Sequence, residues 1–146
     1  IIENAITVAH QVGLAKPKIA VLSAAENYNP KMPSSVLAKA VVQYFATNQK
    51  AVVAGPISFD LALSPLSATH KHYTGAIQGD ADVLIVPSID AGNVLYKALM
   101  LFTDARLGGT IVGAKVPIVV TSRSDAVDSK LTALAFAIEQ LKGGAL

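Results

Sequence analysis

VLIVPSIDAGNVLYKALM, Val83–Met100, changes character half-way along. Val83–Val86 is an unbroken apolar run, the pattern of a strand buried on both faces. Pro87 and Ser88 interrupt it, and beyond Ile89 apolar residues recur three and four apart, the spacing of a helix with one covered face. Asp90 is placed to N-cap that helix, its carboxylate accepting from free backbone N–H groups. Gly92 allows a close approach in the first turn. Asn93 and Lys97 are four apart and share one helical face, with Tyr96 beside them. A helix N-terminus with an amide and an ammonium on one face suits an anion such as phosphate. The plainer alternative is that Asp90 only caps, Gly92 only permits packing and Lys97 is solvated.

The same alternation of period extends outward from this stretch. Ile1, Ile2, Ala5, Val8, Ala9 and Val12 predict a first helix stopped by Gly13. KIAVL (Lys18–Leu22) predicts a short buried strand, followed by a polar, proline-containing loop and a helix capped by Ser34 or Ser35 that runs to about Thr47. AVVAG (Ala51–Gly55) predicts a strand closed by Gly55-Pro56, with a helical turn or two from Ser58 to Ser67 and then a polar loop. Thr110–Val112 and Val116–Thr121 are strand-like. The final helix, from about Asp125 to Leu141, carries Leu131, Leu134, Ala135, Ile138 and Leu141 on one face. Strand following helix in this order predicts an α/β fold: a three-layer αβα arrangement around a mostly parallel, doubly wound sheet.

Composition sets the remaining bounds. The chain has 146 residues, 52% of them apolar and 15% charged, which suits an ordinary core and excludes disorder. The net charge is +2 with scattered basic residues, so no nucleic-acid partner is expected. No apolar run reaches membrane-spanning length, so no membrane partner is expected either. With no cysteine, disulfides and thiolate metal sites are excluded. His70 and His72 flank Lys71 in a polar segment and make a poor ligand pair, so no metal is expected. The opening IIENAITVAH resembles neither a signal peptide nor a native start, and the chain is expected to belong to something longer.

In doubly wound sheets ligands gather where strands end and helices begin. A second such junction is VVTSRSDAVDSK, Val119–Lys130. Here Ser122 and Arg123 follow a buried strand, and Arg suits a bidentate grip on phosphate. The alternative is a plain helix cap from Ser124, Asp125 or Asp128, with Arg123 solvated. GGTIVGAK (Gly108–Lys115) imitates a P-loop but has Ala114 where the lysine belongs. Neither a GxGxxG fingerprint nor a GxSxG elbow is present.

DADVLIVPSIDAGNVLYKAL, GPISFDLALS and VGAKVPIVVTSRSDAVDSKL together resemble the phosphate acetyltransferase and phosphate butyryltransferase family, in order and over nearly the whole chain. AVLSAAENYNPKMPSS leans towards the butyryl branch. The resemblance implies a fold like that of isocitrate and isopropylmalate dehydrogenases. It implies reversible transfer of a short acyl group, butyryl or branched, between CoA and inorganic phosphate, with no cofactor (CoA being a substrate) and no metal. A cytoplasmic homo-oligomer, a dimer or larger, is expected. By the motif match Ser122 stabilises the sulfur or the oxyanion, and Arg123 grips phosphate or CoA. Asn93, Tyr96 and Lys97, with Gly92, face CoA or the transferred phosphoryl group. In the acetyl branch an aspartate stands seven positions after the serine; here that position is Ser129, preceded by Asp128. Asp128 or Asp125 serves as base, or the proton is handled otherwise; Ser129 is counted with the CoA-binding residues. The chain is expected to be the C-terminal portion of such an enzyme. About residues 1–110 would form one lobe, with the strand and helix of about 111–146 packing on an N-terminal lobe, and the fragment alone could be inactive. Two other classes compete: a non-catalytic CoA- or phosphate-binding regulatory module, and a decarboxylating dehydrogenase relative, whose acidic metal cluster the sequence lacks.

Overall fold

The computed structural model describes residues 1–121 and 126–143. In chain order its elements are α1 (Ile2–Gln11), β1 (Lys18–Leu22), α2 (Pro33–Tyr44), β2 (Val52–Ile57), α3 (Phe59–Leu63), α4 (Pro65–His70), β3 (Val83–Ile85), α5 (Ile89–Phe102), β4 (Gly109–Ile111), β5 (Ile118–Val120) and α6 (Val127–Lys142). Two compact units result: residues 16–92, and residues 1–15 with 93–146. The protein is α/β, and its larger sheet is wholly parallel.

In the unit of residues 16–92 the strand order is β2-β1-β3. The apolar KIAVL run takes the central place because its residues can be buried on both faces, and Ile19 and Ala20 are fully buried. Parallel neighbours need crossovers, supplied by α2 between β1 and β2 and by α3 and α4 between β2 and β3. Leu22, Ile57, Leu61, Ala62, Ala68 and Ile77 make the core, with Tyr73, Leu84 and Val86 packed against it.

Several elements depart from the sequence expectation for identifiable reasons. β2 does not close at Gly55-Pro56 but runs through a cis Gly55-Pro56 peptide to Ile57. Its register slips by one residue, Ala20 facing Ala54 but Leu22 facing Ile57, and this irregularity accommodates a proline on the outer strand of the described sheet. Gly55 is needed there: a Cβ would lie 2.6 Å from the Val21 carbonyl oxygen. Neither Ser34 nor Ser35 caps α2. The helix starts on Met32 with Pro33 in its first turn, a place where the missing N–H costs nothing. Ser35 is buried, its Oγ accepting the Asn29 N–H at 2.9 Å. α4 extends to His70, into a stretch expected to be loop, after Ser64 Oγ accepts the Ser67 N–H at 3.1 Å.

In the other unit α1 buries Ile2, Ile6 and Ala9, and Gly13, at φ +95°, leaves the helical path. β4 and β5 pair antiparallel, with Gly109 opposite Val120, Thr110 opposite Val119 and Ile111 opposite Ile118. Their connection is too short for a crossover, so a hairpin is the available pairing and they do not extend the parallel sheet. Within this chain the leucine and isoleucine stripe of α6 is left open: Leu131, Leu134, Ile138 and Leu141 are 44–59% exposed. The helix instead buries Ser129, Ala133, Ala137 and Gln140, packing on the hairpin and α1. Small residues let the backbones close up; a Cβ on Gly108 would lie 2.6 Å from the Ala133 backbone. Gln140 Nε2 donates to Thr110 Oγ1 at 2.9 Å, holding the helix to β4.

Candidate functional site

The first candidate junction forms where β3 gives way to α5. Ser88 rather than Asp90 caps the helix: its Oγ accepts the Ala91 N–H at 3.2 Å. The helix begins directly after Pro87-Ser88, which puts Asp90 inside the first turn. There its exposed carboxylate still favours the positive end of the helix dipole. Gly92 sits against the exit of the strand, where a Cβ would stand 3.0 Å from Val86 Cγ2. Its small size therefore serves packing of α5 on that residue.

Further along α5, Asn93 and Lys97 are exposed and Tyr96 is half-buried. The Lys97 ammonium lies 5.1 Å from the Tyr96 ring centroid, within reach of the ring's negative face. Tyr96 lines a cavity of about 500 Å³ together with Leu107, Gly108, Ile111, Val120 and Thr121. Thr121 follows β5 and directly precedes Ser122 in the sequence. Ser122 and Arg123, with Ser124 and Asp125, lie outside the described residues. Asp128 is exposed in the first turn of α6, where its carbonyl accepts the Thr132 hydroxyl at 2.8 Å. Ser129 is buried on the face of α6 that carries Ala133 and Ala137. Asn93, Tyr96 and Lys97 thus stand together, and Thr121 shares a cavity with Tyr96. Leu107, Ile111, Val120 and Thr121 were not singled out as site residues from the sequence; the only signal was their position beside the GGTIVGAK and Ser-Arg stretches.

The parallel-sheet unit carries a polar cluster of its own, just past the end of β2. Asp60 accepts from Ser58 Oγ at 2.7 Å and pairs with Lys71 Nζ at 2.8 Å. The hydrogen bond from Lys71, then that from Ser58, holds the Asp60 carboxyl down at about 2. Asp60 in turn pushes the Lys71 ammonium up. Burial, and then the charge of Glu26, pushes the Tyr73 hydroxyl up. Asp60 stands in the GPISFDLALS stretch, but nothing local pointed to its partner, which lies beyond α4. Because the folded carboxyl titrates below its ordinary 3.8, the pair's contribution to stability is present above that pH and is lost as pH falls towards 2. Urea midpoints at pH 5 and pH 2.5 check this: Asp60→Asn should lower the midpoint clearly at pH 5 and by much less at pH 2.5, where the contribution is already fading. An equal drop at both pH values would contradict the assignment.

Among the described residues no group of three His, Cys, Asp or Glu side chains is arranged to hold a metal ion. His70 ends α4, and His72 takes a left-handed backbone at φ 50°. No described helix is long and apolar enough to cross a membrane.

The family model for phosphate acetyl/butaryl transferases matches residues 1–138. The chain belongs to that family. A probable phosphate butyryltransferase of Bacillus subtilis (strain 168) is 45% identical over 140 residues, 94% of this chain and 47% of the relative. The phosphate butyryltransferase of Clostridium acetobutylicum is 42% identical over 139 residues, 94% of this chain and 46% of the relative. Among solved structures, a branched-chain phosphotransacylase from Enterococcus faecalis V583 superposes with a TM-score of 0.94 at 60% identity, covering 97% of this chain and 51% of that one. This member of the phosphate acetyl/butaryl transferase family spans about half the length of the curated relatives it matches.

Proposed function

We propose that the chain forms part of the active site of a phosphate acyltransferase, which converts acyl-CoA and inorganic phosphate to acyl phosphate and CoA, reversibly. In the acyl-phosphate-forming direction a phosphate oxygen attacks the thioester carbonyl. The tetrahedral intermediate then collapses, the C–S bond breaks, and CoA leaves as thiolate that takes up a proton. Arg123 and Lys97 supply positive charge for phosphate or for the phosphates of CoA, and Asn93 adds an amide donor on the same helical face. Ser122 donates a hydrogen bond to the oxyanion or the sulfur, a role whose value is greatest where charge develops. Asp128 is the candidate for proton transfer at the thiol, and Ser129 stays with the CoA-binding set. Both substrates act without a resident cofactor or metal in this scheme, and much of the rate comes from holding them together.

The observation that carries this reading is the shared cavity of Tyr96 and Thr121, because it joins the α5 junction to the strand end that leads into Ser122-Arg123. Names of relatives add the acyl class: butyryl and branched-chain acyl groups are those of the proteins at 42–60% identity. A three-layer fold like that of isocitrate and isopropylmalate dehydrogenases, a partner N-terminal lobe contacting the exposed stripe of α6, assembly as a dimer or larger, and a cytoplasmic site of action belong to the same proposal.

Incubating the complete protein with butyryl-CoA and phosphate tests it, with thiol and acyl phosphate followed together. Equimolar appearance of both is expected. Binding of CoA without turnover would favour the regulatory-module alternative, and turnover dependent on a divalent metal and a nicotinamide cofactor would favour a dehydrogenase relative.

A further inference from the structure

We infer that the cavity beside Tyr96 receives the hydrocarbon end of the acyl group, and that Ile111 and Leu107 set the chain length it accepts. The inference rests on the acyltransferase reading and adds the determinant of substrate choice. Residues of a strand alternate between its faces. Thr110 is turned to α6, since its Oγ1 accepts from Gln140. Ile111 is therefore on the opposite face of the hairpin, as is Val120, whose partner Gly109 has no side chain. Leu107 and Tyr96 add to the wall, so much of the lining is apolar. Ile111 and Val120 remain 52% and 48% exposed, leaving apolar surface for a ligand to cover.

Thr110 and Thr121 also line the cavity, and the Lys97 ammonium stands 5.1 Å from the centroid of the Tyr96 ring. A mostly apolar lining that includes threonines and adjoins an ammonium suits an acyl thioester, whose tail is hydrocarbon and whose carbonyl must stay among donors. Phosphate itself is unsuited to the apolar part, because a buried ion without partners is costly. A volume of about 500 Å³ is in the range of small-molecule sites and leaves room beyond an acetyl group.

The test compares kcat/KM for acetyl-CoA, butyryl-CoA and hexanoyl-CoA in the complete protein. Each methylene in an apolar pocket is worth about tenfold or more in discrimination. Ile111→Phe should lower the butyryl-to-acetyl ratio about tenfold, and Leu107→Phe should act in the same direction. Ile111→Ala should raise the hexanoyl-to-butyryl ratio. A ratio uses active protein on both sides, so partial misfolding cancels; if one variant fails to fold, the other two decide. Unchanged ratios in the variants that fold would overturn the inference while leaving the acyltransferase reading in place. A wild-type protein that turns over none of the three substrates would overturn that reading itself, and this inference with it.

Discussion

Ser122→Ala in the complete protein should reduce kcat/KM for butyryl-CoA by about 10²–10³, the usual effect of deleting one donor aimed at a developing oxyanion. The expectation follows from three links. β5 ends at Val120, and Thr121 carries the chain to a cavity that α5 also lines through Tyr96. Ser122 is the next residue in the sequence. Acyl transfer to or from a thiol builds negative charge on the carbonyl oxygen and then on sulfur, and a hydroxyl donor is worth most at that moment. The loss should appear in kcat, with KM for butyryl-CoA changed much less, because ground-state binding rests on the phosphates of its CoA moiety in this scheme. A drop of less than fivefold, or one confined to KM, would remove Ser122 from the chemistry.

The second large effect concerns folding. Leu61→Ala should destabilise the protein by about 2–5 kcal/mol, read as a lowered midpoint in chemical denaturation. Leu61 is fully buried and belongs to the cluster with Leu22, Ile57, Ala62, Ala68 and Ile77. Several of these neighbours are alanines, with little freedom to move into the space left behind. The same cluster anchors α3, the helix that presents Asp60 to Ser58 and Lys71. Its loosening should therefore also disturb that ion pair. A loss below about 1 kcal/mol would mean that the site collapses freely, contrary to the packing described.

The strands were the most legible part of the fold. KIAVL, AVVAG and VLIV are short, apolar and bounded by breakers, and each appears in the parallel sheet. What a one-dimensional pattern cannot supply is the neighbour. Leu131, Leu134, Ile138 and Leu141 do share a face of α6, but the elements available to pack against it lie on the side of Ala133 and Ala137. Periodicity names the stripe and is silent about what covers it. The cap of α5 shows a local version of the same limit: Ser88 and Asp90 are both good capping residues, and the two-residue difference between them is decided by where the chain turns after Pro87. β4 and β5 could be recognised as strands, whereas their hairpin pairing came from the short connection through Gly113, which takes φ +101°.

For the candidate site, the residues on one helix were legible because helical spacing puts Asn93, Tyr96 and Lys97 side by side. The cavity was not, since Tyr96 and Thr121 are far apart in sequence and meet only through the hairpin. Asp60 and Lys71 escaped for the same reason, being brought together by two short helices. Ser129 is a different case. It was placed with the CoA-binding residues by its position in the motif, seven after Ser122, and the pattern gave no sign that it lies among the small buried residues of α6.

A crystal structure of the complete protein with CoA bound tests the central claim most directly. The account predicts the thiol within about 3–3.5 Å of the Ser122 hydroxyl, opening onto the space lined by Tyr96, Ile111 and Thr121. CoA bound with its sulfur elsewhere, and that space left untouched, would contradict it.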